Sequence, residues 1–222
     1  MTGAISGIDG GSIDAVIFDL GGVILNISYQ KTLVAFSALS GRDAASLYTQ
    51  HRQADLFDAY EMGQITSQDF RQGLRSLLGL GSTVDDSTLD AAWNAMLLDL
   101  PAARLQTLAQ LSERFRLFLL SNTNEIHKAA FEHHVKETLG SSSALADRFE
   151  AVYYSHLVGD RKPHPSLFQR VIDEQALTPS RTLFVDDTAG HLQGAQAVGL
   201  RTVHLSDGLT FEALSDSLLA PV

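Results

Sequence analysis

Residues 15–22 read Ala-Val-Ile-Phe-Asp-Leu-Gly-Gly, so a short apolar run passes directly into Asp19. An uninterrupted apolar run of this kind is typical of a strand that is buried on both faces of a parallel sheet. An Asp that follows such a run is often only part of a turn or the N-cap of a helix. Asp19 therefore indicates a functional site only if other strands of the chain end in the same way.

Two later apolar runs also end in polar residues, and a lysine lies between them in the chain. The stretches are FLLSN with Ser121 and Asn122, RKP with Lys162, and TLFVDD with Asp186 and Asp187. Ligands of open α/β sheets bind in the crevice at the carboxyl ends of the strands, so these groups should converge on one mouth. A carboxylate nucleophile, a hydroxyl, an ammonium and a carboxylate pair are suited to the transfer of a phosphoryl group over a metal ion.

These stretches resemble the four motifs of the haloacid dehalogenase superfamily, in the branch of phosphatases that carries a helical cap inserted after the first motif. Flanking phrases are similar as well, namely SNTNEIH, GDRKPHPSLF and VDDTAGHLQGAQAVGL. The resemblance extends from about Ile13 to Leu205. It implies an α/β fold, in which a doubly wound, Rossmann-like parallel sheet forms the core and a helical cap is inserted into it.

The resemblance also implies roles for individual residues. By position in the motifs, Asp19 resembles the nucleophile, Ser121 the phosphate-binding hydroxyl and Lys162 the lysine of the third motif. Asp186 and Asp187 resemble the acidic pair that binds the metal ion. The implied activity is a Mg2+-dependent phosphatase that hydrolyses a small phosphomonoester, such as a sugar phosphate, through an aspartyl-phosphate intermediate.

One position departs from the family pattern. The second Asp of the first motif, two residues after the nucleophile, is Gly21 in this chain. In the family that Asp serves as general acid and base, and its backbone carbonyl binds the metal. Gly21 keeps the carbonyl and loses the acid. Some sugar-phosphate phosphatases of the family resemble this chain in having Asp-Leu-Gly here, so the substitution does not by itself imply an inactive enzyme.

The attack on phosphorus requires a nearby cation. Phosphate esters are dianionic near neutral pH, so an anionic Asp19 can approach one only if positive charge reduces the repulsion. We expect this charge from Mg2+ held by Asp19, the Gly21 carbonyl and Asp186. Two interpretations of Asp187 stay open: a further or water-bridged metal ligand, or a residue that orients Lys162.

Phosphate binding is expected from Ser121, Asn122 and Lys162. Lys162 can neutralise both Asp19 and the transferring phosphoryl group. The Ser121 hydroxyl and the Asn122 backbone N–H can donate hydrogen bonds to the phosphoryl oxygens. Asp19, Ser121 and Lys162 are therefore the predicted catalytic residues.

Residues 30–99 contain helical patterns and no strand-like run, which predicts a helical cap over 30–99. The predicted hydrolase core then consists of residues 12–29 and 100–222. Within the cap, helices are predicted over residues 30–39, 42–52, 55–60, 67–78 and 87–96. Thr66, followed three residues later by Asp69, resembles a capping box that opens the fourth of these helices.

Composition favours a cytoplasmic enzyme that acts on a small molecule. The net charge of −10, from 16 basic and 26 acidic residues, argues against a nucleic-acid partner. The chain has no Cys, which excludes disulfides and thiolate catalysis. No run is long and apolar enough to span a membrane, and residues 1–12 read as a flexible lead-in without signal-peptide features. The expected partner is a small phosphate ester, and the expected state is a monomer or homodimer.

The remaining polar residues are predicted to have minor roles. His127, His133 and His134 are expected on a solvated helix surface, because their spacing does not place all three on one face. His164 is expected in a surface loop, and His191 either caps a helix or touches the site. Other polar residues of the cap are expected to be exposed, with one or two selecting the leaving group: His51, Arg52, Asp55, Tyr60 and Glu61. Apolar cap packing is expected of Phe57, Phe70 and Trp93.

Two alternative functions are kept. A 2-haloacid dehalogenase would share the fold and the nucleophilic Asp19, but it would leave the pair Asp186 and Asp187 without a metal counter-ion. A non-catalytic phosphate-ligand binding protein would keep the pocket and would have lost turnover together with the acid at position 21. The presence of Asp19, Ser121, Lys162 and Asp186 argues against this second alternative.

Overall fold

The computed structural model describes residues 12–43, 50–81, 84–140, 142, 144–206 and 208–220, without the side chains of residues 50–54 and 139. The predicted lead-in therefore lies outside the described residues, except for Ser12. The same holds for residues 44–49 of the predicted helix 42–52 and for the side chains of His51 and Arg52.

The strands of the described chain form one parallel sheet in the order β3-β2-β1-β4-β5. Their bounds are β1 Ala15–Phe18, β2 Arg116–Ser121, β3 Ala151–Tyr154, β4 Thr182–Asp186 and β5 Arg201–His204. Phe18 pairs with Leu119 on one side and with Val185 on the other. This register brings the residues that follow β1, β2 and β4 to the same edge of the sheet.

The strand order reverses at β1. From β1 the chain proceeds to β2 and β3 on one side and then crosses to β4 and β5 on the other. Such a reversal opens a crevice at the carboxyl ends of the central strands. The predicted doubly wound α/β fold is confirmed, and its ligand crevice lies where β1 and β4 end.

Helices cover both faces of the sheet and fill the connection between β1 and β2. Before β2 they are α1 Tyr29–Ser40, α2 Gln50–Glu61, α3 Ser67–Leu78, α4 Asp86–Asn94 and α5 Ala102–Ser112. After β2 they are α6 Glu125–Leu139, α7 Ser155–Val158, α8 Pro165–Gln175, α9 Ala189–Ala197 and α10 Phe211–Leu219. Short 3-10 turns occur at Leu145–Arg148 and Pro179–Arg181.

Alternate residues of the strands point to opposite layers of the core, as the pleat of a strand requires. On one face the strands pack against α5, α6 and α10 with Val16, Phe18, Leu117, Leu119 and Val185. On the other face they pack against α8 and α9 with Ala15, Ile17, Phe118, Leu120 and Phe184. Burial on both faces explains why these strands read as continuous apolar runs.

Helices α1 to α4 share an apolar cluster of their own. It contains Phe36, Phe57, Phe70 and Trp93, and it reaches Ile126 at the start of α6. The predicted packing roles of Phe57, Phe70 and Trp93 are confirmed by their burial. Tyr60 is buried as well. Its hydroxyl accepts a hydrogen bond from the Ile126 backbone N–H at 3.2 Å. The predicted exposure of Tyr60 is therefore wrong.

Two of the predicted helices of this region need correction. Gly41, at φ 66°, ends α1 in the left-handed conformation, and Arg42 and Asp43 are not helical. The helix predicted over 55–60 is longer, because α2 already covers Gln50–Glu61. The capping box at the start of α3 is confirmed, since the Thr66 hydroxyl accepts from Asp69 N and the Asp69 carboxylate accepts from Thr66 N.

The two chain segments that connect these helices to the sheet pair with each other. Ile27 and Leu97 form an antiparallel bridge. Asn26 N donates to Asp99 O at 3.0 Å, and Leu98 N donates to Asn26 O at 2.9 Å. The entry and exit of the helical segment are thus joined by backbone hydrogen bonds. Among the described residues, no helix is long and apolar enough to cross a membrane.

Candidate active site

The predicted site residues converge at the carboxyl ends of β1, β2 and β4. Asp19, Ser121, Asn122 and Asp187 line one cavity of about 400 Å³, and we call these four residues the strand-end wall. Lys162 and Asp186 lie directly behind it, with side chains that are 0% exposed. The convergence expected from strands of a parallel sheet is therefore observed.

Lys162 joins two of the acidic residues. Its Nζ lies 2.8 Å from Asp19 Oδ1 and 2.7 Å from Asp186 Oδ2. Asp19 Oδ1 also accepts a hydrogen bond from the Leu20 backbone N–H at 2.6 Å. Among the described residues, no donor contacts Asp19 Oδ2, and Asp19 lines the cavity. Both of these contacts thus engage Oδ1 and leave Oδ2 without a described hydrogen-bond donor.

Burial and charge set the protonation of this cluster. Burial raises the pKa of Asp19 to about 7, while the positive charge of Lys162 acts in the opposite direction. Burial also acts to raise the pKa of Asp186, but Lys162 and His191 overcome it and lower that pKa to about 2. Burial disfavours the ammonium, yet the two carboxylates raise the pKa of Lys162 above its usual value. Lys162 is therefore charged at neutral pH, and it favours the carboxylate forms of both partners.

The backbone of Lys162 is held by the side chain of Asn122. Asn122 Nδ2 donates to Lys162 O at 2.9 Å, and Lys162 N donates to Asn122 Oδ1 at 2.9 Å. The sequence prediction used only the backbone N–H of Asn122 and missed this role of its amide. A terminal amide can satisfy both groups of a peptide backbone at once, and Asn122 thereby connects the end of β2 to the loop that carries Lys162.

A second contact, between α9 and the residue after Lys162, packs closely against the Lys162 loop. Gly194 of α9 lies so close to the Pro163 carbonyl that a Cβ at this position would overlap the carbonyl oxygen. Any other residue at position 194 would push α9 away from the loop or displace the loop itself. The glycine in the phrase VDDTAGHLQGAQAVGL therefore has a packing reason.

The two glycines at positions 21 and 22 differ in how strictly the structure requires a glycine. Gly22 has φ 74°, and a Cβ there would overlap Asp187 Oδ2, so this position needs glycine for its backbone and for the space beside Asp187. Gly21 lies outside the left-handed region. A Cβ on Gly21 would lie 3.2 Å from Ile27 Cδ1, which requires a shift of a few tenths of an ångström. Position 21 thus lacks an acidic side chain without a backbone conformation that forbids one.

Asp187 lines the cavity and makes no ion pair or hydrogen bond with Lys162 among the described contacts. Its Oδ1 accepts from the Thr188 hydroxyl at 3.2 Å, and its backbone carbonyl accepts from His204 Nε2 at 2.9 Å. The carboxylates that contact Lys162 belong to Asp19 and Asp186. Of the two interpretations of Asp187, the one that orients Lys162 is therefore not supported by its contacts.

His191 touches the site. Its Nδ1 lies 3.0 Å from both carboxylate oxygens of Asp186, so an Nδ1–H can donate to them. The acidic oxygens of Asp19 and Asp186 and one ring nitrogen of His191 all lie within 4.8 Å of one another. His164, in contrast, is about half exposed and pairs with Asp160, as expected for a loop residue.

His127 is buried, and its predicted position on a solvated surface is wrong. Its ring stacks on Trp93, and its Nε2 lies 3.3 Å from Trp93 O. Because a carbonyl can only accept, Nε2 carries the proton and Nδ1 accepts from Asn124 Nδ2 at 3.2 Å. Burial lowers the pKa of His127 to about 4. His133 is exposed and His134 is partly buried, so only the first of the three histidines departs strongly from the prediction.

The opposite side of the cavity is formed mainly by the helical segment, and we call it the helical wall. Its apolar residues are Ile27, Phe57, Trp93, Met96 and Leu97. Its charged residues are Asp58 and Glu61 of α2, together with Arg161 from the Lys162 loop. The guanidinium of Arg161 forms ion pairs with Asp58 and with Glu61, the latter at 3.0 Å from Arg161 Nη2 to Glu61 Oε2.

The ion pairs of Arg161 were not predicted from the sequence. Glu61 was expected to be exposed, but its side chain is only 21% exposed. Burial raises the pKa of Glu61 to about 7. The positive charge of Lys162 acts in the opposite direction and favours the carboxylate form of Glu61. Arg161 is adjacent to Lys162 in the sequence. This adjacency indicates that Arg161 lies near the site, but it does not indicate which residues pair with Arg161.

Comparison with known proteins identifies similar chains. A family model described as haloacid dehalogenase-like hydrolase matches residues 13–199. The D-ribitol-5-phosphate phosphatase of Bacteroides thetaiotaomicron is 29% identical over 196 residues, which are 88% of this chain and 93% of that protein.

Solved structures agree with this family. A wild-type haloacid dehalogenase family enzyme of B. thetaiotaomicron, in complex with magnesium and inorganic phosphate, superposes with a TM-score of 0.81 at 31% identity. The match covers 91% of this chain and 98% of that one. L-2-haloacid dehalogenase from Xanthobacter autotrophicus gives a TM-score of 0.59 at 26% identity and covers 92% and 81% of the two chains.

Proposed function

This chain belongs to the haloacid dehalogenase-like hydrolase family, and we propose on that premise that it is a Mg2+-dependent phosphatase of small phosphomonoesters. The observation that carries the proposal is the contact of Lys162 Nζ with Asp19 and Asp186 beside a cavity that Ser121 also lines. That the protein is a phosphatase rests on the family and on relatives that are named phosphatases. The relative that acts on a polyol phosphate favours a sugar or sugar-alcohol phosphate as the substrate class.

The residues at the strand ends fit Mg2+. Carboxylate and carbonyl oxygens are the ligands that this ion prefers, and a few of them are enough because waters and substrate complete its coordination. We propose Asp19, the Gly21 carbonyl, Asp186 and Asp187 as the residues that would hold it. Asp19, Gly21 and Asp187 line the cavity, and Asp186 belongs to the acidic cluster within 4.8 Å. Bound Mg2+ would neutralise phosphate charge and so reduce the repulsion of Asp19.

In the first half-reaction, an oxygen of Asp19 attacks phosphorus. A bond forms between Asp19 and phosphorus while the bond from phosphorus to the alcohol oxygen breaks, and the departing oxygen takes up a proton. Lys162, charged and 2.8 Å from Asp19, opposes the effect of burial and favours the ionised form of the nucleophile. The Ser121 hydroxyl and the Asn122 backbone N–H are proposed to donate to the phosphoryl oxygens.

In the second half-reaction, water hydrolyses the aspartyl phosphate. The water oxygen bonds to phosphorus, the bond between Asp19 and phosphorus breaks, and one proton leaves the water. Asp19 is then regenerated and inorganic phosphate departs. Gly21 supplies no side chain for either proton transfer, so the proton must come from solvent, from the substrate or from another residue of the cavity.

We further propose that residues 30–99 act as a cap on a core formed by residues 12–29 and 100–222. Support comes from the apolar cluster that the inserted helices share and from the paired segments at Asn26–Ile27 and Leu97–Asp99. A cap of this kind would exclude water from the cavity when it closes. The enzyme is proposed to act in the cytoplasm on a small molecule, as a monomer or homodimer, without a nucleic-acid or membrane partner.

The dehalogenase alternative is less well supported. Burial and the charge of Asp186 raise the pKa of Asp187, so a mechanism without a metal ion leaves this carboxylate uncompensated at the cavity. The TM-score to the haloacid dehalogenase is 0.59, against 0.81 for the phosphate-bound relative. A non-catalytic binding protein would not need Lys162 in contact with Asp19.

A substrate screen tests the three functions together. The purified protein is incubated with a set of phosphate esters and with 2-chloropropionate, each with Mg2+ and with EDTA. Release of phosphate that depends on Mg2+ supports the proposal. Release of chloride independent of Mg2+ supports a dehalogenase, and tight phosphate binding without any turnover supports a binding protein.

A further inference from the structure

The cavity that contains Asp19 continues to the charged cluster of Arg161, Asp58 and Glu61. The reacting phosphoryl group must lie at Asp19, so the alcohol part of the substrate is directed toward the helical wall. The charged cluster and its apolar neighbours are therefore the surroundings of the leaving group. Asp58 and Glu61 belong to α2, whereas Arg161 precedes Lys162 in the chain.

The charge of Arg161 is already used. Among the described residues that line the cavity, Arg161 is the only one with a permanently positive side chain. Its Nη1 pairs with Asp58, and its Nη2 lies 3.0 Å from Glu61 Oε2. Lys162 is fully buried behind Asp19 and is engaged by two carboxylates. Within the described part of the chain, the region of the cavity that receives the leaving group thus offers no unpaired positive charge.

We propose that the cluster of Asp58, Glu61 and Arg161 selects phosphate esters of uncharged, hydroxyl-bearing alcohols and rejects esters whose leaving group carries a second anionic group. This proposal rests on the proposed phosphatase function and narrows its substrate class. It assigns the three residues as specificity determinants and gives them no part in the bond-breaking steps.

An anionic leaving group would meet two obstacles here. It would have to compete with Asp58 and Glu61 for the guanidinium, and it would lie close to both carboxylates in half-buried surroundings, where like charges repel more strongly than in water. The other described residues of the helical wall, such as Ile27, Trp93 and Met96, are apolar and offer no compensating positive charge.

An uncharged polyol meets complementary groups instead. Its hydroxyls can donate to the carboxylate oxygens of Asp58 and Glu61, which accept more than one hydrogen bond each. A hydroxyl therefore adds to the existing ion pairs, whereas a carboxylate or second phosphate must break them.

Glycerol 1-phosphate and 3-phosphoglycerate form a matched substrate pair, since they differ by a terminal alcohol against a carboxylate. We expect the wild type to hydrolyse glycerol 1-phosphate with at least about tenfold higher kcat/KM. In Asp58→Asn/Glu61→Gln the guanidinium is released, and kcat/KM for 3-phosphoglycerate should rise about tenfold or more, mainly through a lower KM. Adding Arg161→Gln should remove that gain.

Asp55→Asn is the control, because Asp55 is an exposed acid of the same helix and its change removes one negative charge, as Glu61→Gln alone does. It should leave the selectivity unchanged. If the double variant does not fold, Glu61→Gln alone provides the test, with a smaller gain in the same direction. Equal kcat/KM for both esters in the wild type, or a folded double variant without any gain on 3-phosphoglycerate, would overturn the proposal. Absence of turnover on every ester would instead overturn the phosphatase function, and the charge selection with it.

Discussion

The two walls of the cavity are held in different ways. On the strand-end side, the Lys162 side chain contacts two carboxylates, its backbone is held by the Asn122 amide, and Gly194 presses on the adjacent Pro163. On the helical wall, both acidic residues depend on one guanidinium, that of Arg161. Changes on the first side should therefore alter the rate for every substrate. Changes on the second should alter which substrate is preferred.

The strand-end wall is tested most directly by Asp19→Asn. The variant keeps the shape of the side chain but removes the nucleophilic carboxylate, so kcat should fall by at least about 10⁴-fold on all phosphate esters. EDTA should abolish wild-type activity, and added Mg2+ should restore it. Asp216→Asn, at an exposed position of α10, is the control and should be fully active. Full activity of a folded Asp19→Asn variant would contradict the proposed mechanism.

Gly21 tests whether the missing acid limits the reaction. A positioned general acid is typically worth about 10²–10⁴-fold and matters most for poor leaving groups. We expect wild-type turnover to depend steeply on the pKa of the leaving group, with aryl phosphates hydrolysed faster than alkyl phosphates. Gly21→Asp should raise the alkyl rate by about 10²-fold, because the backbone here is not left-handed and Ile27 needs to move only slightly.

Gly21→Asn is the matched control for this experiment. It adds a side chain of the same size without an acidic proton, so it should give no gain on alkyl esters. A shallow dependence on leaving-group pKa in the wild type, together with no gain in a folded Gly21→Asp variant, would show that another group already supplies the proton. The helical wall would then be the source of the proton to test next.

Asn122 tests how much the hold on the Lys162 loop contributes. In Asn122→Ala the loop loses both hydrogen bonds of the amide, and a shift of Lys162 by about 1 Å can cost up to about 10²-fold in rate. We expect kcat to fall by about 10- to 10²-fold on both aryl and alkyl esters, with the thermal unfolding temperature measured in parallel. Asn122→Asp keeps the acceptor for Lys162 N and should lose less. Unchanged kcat in the alanine variant would mean that the side-chain contacts of Lys162 suffice.

The sheet could be predicted because its strands are buried on both faces and therefore have a distinct composition. Residues 15–18 and 182–185 were placed as strands, and the structure places them so. β3, Ala151–Tyr154, was not singled out, since its tyrosines make it less uniformly apolar. The polar residues at the strand ends could be placed at one mouth because parallel strands share an edge. Their chemical roles remain proposals.

The contacts of side chains could not be predicted in the same way. The bonds from Asn122 to Lys162 and from Arg161 to Glu61 join segments that are far apart in the sequence, and no periodicity encodes them. His127 was assigned to the surface because helical spacing describes one helix alone. It does not reveal that Trp93 of α4 packs onto that position.

His127, at the junction between α6 and α4, provides an expected effect on stability and none on the reaction rate. Burial lowers its pKa to about 4, whereas an unfolded chain gives the usual value near 6.5. Between these values the unfolded state binds a proton that the folded state does not. The contribution to stability is therefore complete above about pH 6.5 and is lost as the pH falls toward 4, at about 1.4 kcal/mol per pH unit.

Denaturant unfolding at several pH values measures the slope of the unfolding free energy against pH. The difference between wild type and His127→Gln isolates this residue from other titrating groups such as His156, and His133→Gln, at an exposed position, should leave the slope unchanged. If the wild type and His127→Gln lose stability in parallel from pH 6.5 to pH 4, the histidine is not held neutral at this junction, and the junction opens more easily than its packing indicates.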